Sequence, residues 1–162
     1  MNKINKTIEK FVNEAAGAIV GEHIEVSSKY NDFYASALLN VIFVPKWKSY
    51  KFNKNSVADV QFGLYFRSLS TYAKDFSLET LSILHELGHI VTDPEIPLNY
   101  DRTEAFERIS KKAKSEEELN RLYFRMTDEK MATLWAVKWL TVKENRKLAQ
   151  NFEKEFFKNF AG

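Results

Sequence analysis

Between Ser77 and Asp93 the chain reads SLETLSILHELGHIVTD, an apolar run with a narrow polar seam, and no other stretch constrains the fold as strongly. Wound as a helix, Leu78, Leu81, Ile83, Leu84, Leu87, Ile90 and Val91 cover most of the circumference. Glu79, Ser82, His85, Glu86, His89 and Asp93 fall on one stripe. A helix of this kind has to be enclosed on nearly every side, so the remaining elements must wrap it. Ser77 is placed to cap its start, with Glu79 in the first turn, and Asp93-Pro94 stops it after Thr92. Gly88 costs about 1 kcal/mol of helix propensity against Ala, which implies that another element approaches closely there.

The seam carries two of the chain's three histidines. Residues four apart on a helix lie one above the other, so His85 and His89 can direct both rings at one point. That arrangement suits a tetrahedral zinc ion. Glu86 lies beside His85 around the helix, within reach of a water but not itself a ligand. This is the H-E-x-x-H pattern, in which the metal lowers the pKa of a bound water to about 7 and the glutamate takes its proton as general base. The chain has no cysteine, so thiolate sites, disulfides and thiol nucleophiles are excluded, and a metal must be held by His and carboxylates.

A catalytic zinc site takes three protein ligands and keeps one position open. Glu95 follows the second histidine closely, at the place where the metzincin pattern has its third His, but Thr92 stands where that pattern needs Gly. Glu129 is the better candidate. In the long helical segment from Ser115 to Leu140, Leu122, Met126, Glu129, Thr133, Ala136 and Leu140 follow steps of four and three and define one inward face. A carboxylate buried there without a cation would lose several kcal/mol of hydration. Alternatively the helix is turned slightly and Glu129 pairs with Arg125 or Lys130 at a wet boundary.

Elsewhere, apolar residues at helical spacing predict a first helix over 5–18, left at Gly17 and Gly21. HIEVSS, YASALLNVIFVP and SVADVQFGLYFRS read as strands of a small sheet; the last, Val57–Arg67, alternates at Val60, Phe62, Leu64 and Phe66. After the seam helix come a short amphipathic helix at TEAFERISKKA, the long helix, and a last helix with Leu148, Phe152, Phe156 and Phe160 in one stripe. The reading is one α+β domain over 1–162: a mainly antiparallel sheet, a central helix, and a helical C-terminal half that supplies Glu129. With 24 basic and 22 acidic residues interspersed, nucleic acid is not an indicated partner. The N-terminal stretch fits neither a secretory signal nor a membrane span, which reads as a cytoplasmic chain.

HELGH followed by EKMATLWA resembles the gluzincin layout of zinc peptidases, and more narrowly the ImmA/IrrE-type peptidases of bacterial and phage regulatory loci, whose second motif runs roughly E-x-E-A-N-x-F-A. On that pattern the ligand glutamate falls on Glu129, the small residue on Ala132, the Asn on Thr133 and the aromatic-Ala pair on Trp135 and Ala136; Met131 stands where the second Glu would be. The resemblance implies a zincin-like fold, Zn2+ on His85, His89 and Glu129, Glu86 as catalytic base, and Thr133 as a hydrogen-bonding support. It implies a protein or peptide substrate, with a regulatory protein among the candidates, held along an edge strand expected at Val57–Arg67. His23, Tyr100 and Tyr123 are open candidates for a transition-state donor. The competing expectation is a metal-binding regulatory or adaptor protein that keeps the fold with little or no hydrolysis.

Overall fold

The computed structural model describes residues 2–52 and 56–161. Helix α1 (Lys3–Val12) is capped by the Asn2 side chain, passes through a π-helical turn (Asn13–Gly17) into the short α2 (Ala18–Val20), and ends at Gly21. Gly21 has φ +78°, a conformation glycine enters without steric cost, so the exit expected there stands, whereas Gly17 lies inside the helical run. Three short strands follow: β1 (Glu25–Ser27), β2 (Tyr34–Ser36) and β3 (Val41–Phe43). They form one sheet in the order β1-β3-β2. β3 pairs in parallel with β1 and antiparallel with β2, so the sheet is mixed, where a mainly antiparallel one was expected. Residues 53–55, which end the polar connection after Pro45, lie outside the described residues.

The expected strand at Val57–Arg67 is a helix, α3 (Val57–Leu69). The Ser56 side chain accepts a hydrogen bond from Asp59 N and starts it. Two residues advance a helix by about 200°, so apolar residues at every second position, which would share one face of a strand, fall alternately on opposite sides of a helix. Phe62 and Phe66, four apart, are buried, while Val60 and Leu64 face solvent. The alternation was real, and its period was misread.

α4 (Leu78–Thr92) keeps the limits expected of it, with Ser77 Oγ accepting from Thr80 N. Leu81, Ile83, Leu84 and Leu87 are fully enclosed. α4 packs chiefly against α7 and also meets α1, α3 and the strands β2 and β3. The segment read as one long helix is two, α6 (Glu116–Tyr123) and α7 (Thr127–Leu140), parted by a break at Phe124–Met126. Before them stands α5 (Arg102–Lys112), which has no buried residue. α8 (Lys143–Ala161) closes the fold: Phe152 stacks on Phe11 of α1 at 4.2 Å, and Phe156 meets Trp47 edge to face at 5.2 Å. Among the described residues no helix is long and apolar enough to cross a membrane.

Candidate metal centre

Gly88 sets the geometry of the site. A Cβ placed on it would lie 2.3 Å from the backbone oxygen of Ala132, so α4 and α7 touch backbone to backbone at this point. His85 and His89 lie three residues before and one after Gly88; Glu129 and Thr133 stand at the same offsets from Ala132. Close approach at one pair of small residues thus turns both flanking pairs toward each other. It is the contact that the cost of a mid-helix glycine implied.

Glu129 places one carboxylate oxygen on each imidazole: Oε1 is 3.0 Å from His85 Nε2, and Oε2 is 2.9 Å from His89 Nε2. Thr133 Oγ1 donates to Glu129 O at 3.1 Å, so its hydrogen is committed and the oxygen accepts from His85 Nδ1, 2.9 Å away. Nε2 of His85 then presents its lone pair to a carboxylate oxygen. Two lone pairs facing at 3.0 Å repel unless a cation, proton or metal, lies between them. The Thr133 contact is the support that fixes a metal-ligating histidine's tautomer.

The electrostatics agree. Burial raises the Glu129 carboxyl, but hydrogen bonds from His85 and His89 outweigh this and hold it well below the usual carboxylate range. Burial lowers His89, yet the hydrogen bond and charge of Glu129 carry it above the usual imidazole range. Glu86 is different. It is 7 % exposed, with no hydrogen-bond partner among the described residues, and burial pushes its carboxyl upward against the pull of the two histidines.

Two overlapping sets of side chains bring their ligand atoms within 4.8 Å of one another: His85, Glu86 and His89, and His89, Asp128 and Glu129. His89 belongs to both, and Glu129 hydrogen-bonds both histidines. Zinc with bonds of about 2.0–2.1 Å keeps neighbouring ligand atoms about 3.3 Å apart; each Glu129 oxygen lies 3.0 or 2.9 Å from an imidazole nitrogen, although His85, His89 and Glu129 together are not one of the two sets. The donor set of two imidazoles and a carboxylate fits zinc.

Two recesses flank the centre. One, of about 200 Å³, is walled by Phe33, Tyr34, Ala35 and Ala37 from β2 and its flanks, and by Ile96, Arg102 and Tyr123 opposite. The other, of about 180 Å³, runs toward Asp32, Asp59 and Phe62. Phe33, Glu86, Tyr123 and Glu129 line both, so the two recesses form a groove on either side of the centre, which is their shared wall.

The other candidates separate cleanly. Glu95 is exposed in the short 3-10 turn after α4 and belongs to neither set. His23 pairs with Glu9 at 3.4 Å and is largely exposed, and Tyr100 donates its hydroxyl to Asp128 Oδ1 at 2.8 Å. Neither lines the groove. Tyr123 does, and its oxygen accepts from Arg102 Nη2 at 2.6 Å, which leaves its own hydrogen free for the groove. Burial, reinforced by the Glu129 charge, pushes this phenol up to about 12, so it stays a donor near neutral pH. Arg102 and Asp128 were not anticipated: Arg102 Nη1 reaches Glu129 Oε2 at 3.0 Å and pairs with Asp128 Oδ2. Asp128 stands next to Glu129 in sequence and could have been weighed; Arg102 lies outside any pattern.

No protein-family model matches the chain, and neither curated proteins nor solved structures include a significant match.

Proposed function

We propose that the protein is a zinc-dependent metallopeptidase of gluzincin type, akin to the ImmA/IrrE-type peptidases, with zinc on His85, His89 and Glu129. The observation that carries this reading is Glu86: a largely buried carboxylate that reaches a groove with no hydrogen-bond partner among the described residues, on the helix whose two imidazoles converge on a third group. A structural salt-bridge cluster has no use for such a group, because leaving it unpaired costs stability. Zinc held there supplies a Lewis acid for a peptide carbonyl and lowers the pKa of water. Glu86, its basicity raised by burial, takes the proton from that water. Tyr123 donates its free hydroxyl hydrogen to the carbonyl oxygen as negative charge grows there.

The substrate strand is reassigned from Val57–Arg67 to β2, which pairs only with β3 among the described residues and whose Tyr34 and Ala35 wall the groove. An extended peptide added to that free edge would pass over the centre, with backbone hydrogen bonds supplying affinity.

The test is zinc stoichiometry on untagged protein, together with cleavage of a broad peptide panel. Wild type should hold one zinc per chain, Glu129→Ala should lose it, and Glu86→Gln should keep zinc while cleaving nothing. Zinc well below one per chain after reconstitution, or full activity in Glu86→Gln, refutes the proposal. One zinc without turnover on any peptide supports the regulatory or adaptor reading instead.

A further inference from the structure

Asp128 presents a difficulty for an open metal centre. It directly precedes Glu129 in the first turn of α7, and its carboxylate lies within 4.8 Å of ligand atoms on both His89 and Glu129. A fourth protein ligand is all an ion held by three protein groups needs to become closed, as structural zinc sites are. With Glu86 kept as the base, Asp128 is the group placed to close it.

Two contacts hold Asp128 aside. Tyr100 donates to Oδ1 at 2.8 Å, and Arg102 Nη1 pairs with Oδ2 while reaching Glu129 Oε2 at 3.0 Å. The other arm of the same guanidinium donates to Tyr123. A planar guanidinium presents its donors in a fixed fork, so one side chain can fix three acceptors in a set arrangement. It also neutralises two adjacent carboxylates that would otherwise repel each other or recruit the same metal. Arg102 comes from α5, which buries no residue, so its place in the fold is explained by these contacts and by little other packing.

We propose that Arg102 is the positioning residue that keeps the metal centre open, by holding Asp128 out of coordination. Removing it lets Asp128 turn in and become a fourth protein ligand. The centre then binds zinc more tightly and loses the position a water and substrate must share. This rests on the metal site proposed above but not on peptidase activity.

The experiment measures zinc affinity by chelator competition, and the visible spectrum of the cobalt(II)-substituted protein, in wild type, Arg102→Ala, Arg102→Lys, Asp128→Ala and the Arg102→Ala/Asp128→Ala double variant. Arg102→Ala should tighten zinc about tenfold or more and change the cobalt spectrum, in keeping with the 10–100-fold effects of groups that support metal ligands. The double variant should return both toward wild type, and Arg102→Lys, which keeps one charge on Asp128, should stay near it. Weaker or unchanged affinity in Arg102→Ala overturns the proposal. So does tightening that persists in the double variant, because repulsion between Arg102 and the ion would then explain it without Asp128. Circular dichroism of each variant confirms that the fold is kept; should Arg102→Ala not fold, Arg102→Gln is measured in its place. A wild type and variants that all take up no zinc overturn this proposal and the metal site together, whereas a zinc-binding protein without turnover leaves the coordination test intact.

Discussion

Replacing Gly88 by Ala separates two opposed expectations. If α4 were an ordinary helix at this point, the substitution would add about 1 kcal/mol of helix propensity and raise Tm by about 2–4 °C in a chain of this size. In the structure the new methyl would stand 2.3 Å from the Ala132 oxygen, against 3.4 Å or more for an ordinary contact. The obstacle is backbone, so it cannot swing aside. α4 and α7 must part by about 1 Å, and overpacking of this kind costs about 1–3 kcal/mol or more. Net of the propensity gain, the apo protein should lose up to about 2 kcal/mol or more and up to about 8 °C in Tm. The larger effect falls on metal binding. Ligand distances in a zinc site tolerate about 0.2 Å, and the movement carries Glu129 and Thr133 away from His85 and His89 by several times that. Zinc affinity should fall by at least about tenfold, near the effect of losing a support to a ligand. Calorimetry with and without zinc, plus chelator competition, reads both quantities. A variant that melts higher than wild type and binds zinc as tightly would falsify the argument that this helix contact builds the site.

Further outcomes follow from the same contacts. Thr133→Val removes the acceptor of His85 Nδ1 and should weaken zinc binding about 10–100-fold, whereas Thr133→Ser should hold it near wild type; equal affinity in both variants counts against the tautomer argument. Phe156→Ala empties a fully enclosed aromatic position against Trp47 and Phe152 and should cost about 3–5 kcal/mol, read as a lower denaturation midpoint, with zinc stoichiometry unchanged in the folded protein. The pH dependence of the zinc-free protein has a defined sign. The raised His89 value contributes stability that is complete below about pH 6.5 and lost as pH climbs through it, and the raised Glu86 value removes stability as pH climbs above about 4.3. The depressed Glu129 value acts only on the acid side, its contribution being lost as pH falls below about 4.3. Apo Tm should therefore fall from about pH 5 to pH 8, while the rise in Tm on adding zinc grows over the same range, since zinc displaces the His89 proton. A flat apo profile would contradict the coupling.

What the sequence made legible was whatever repeats along a helix. The seam of α4, its cap at Ser77, the close approach at Gly88 and the inward face bearing Glu129 and Thr133 all follow from residues spaced three and four apart. Period failed where two readings share it. In α3 the buried pair Phe62 and Phe66 satisfies a strand and a helix equally, and the deciding contact is the Ser56 cap on Asp59, a single short-range hydrogen bond. The break at Phe124–Met126 was hidden for a related reason. Leu122 and Met126 continue the stripe of α7 in number, although the chain between them leaves the helix, which brings Tyr123 to the groove wall instead of onto the α7 face.

Arg102 was illegible for a stronger reason. It opens a helix with no buried residue, whose half-buried Ala105 and Ile109 mark only a weak stripe, and its partners Asp128, Glu129 and Tyr123 are 21 to 27 residues away. A buried carboxylate does, however, announce that some cation must meet it, because its desolvation would otherwise move it to the protonated form. Glu129 is met by two imidazoles and a guanidinium at once, more partners than one carboxylate requires. That surplus is explained once Asp128 is counted beside it, and once the two acids are given different duties: Glu129 to face the metal, Asp128 to be kept from it. A chain that needed only a stable α4–α7 interface could have dispensed with all of these groups by filling the space with leucine, which by burial alone is commonly as stable as a buried ion network or more so.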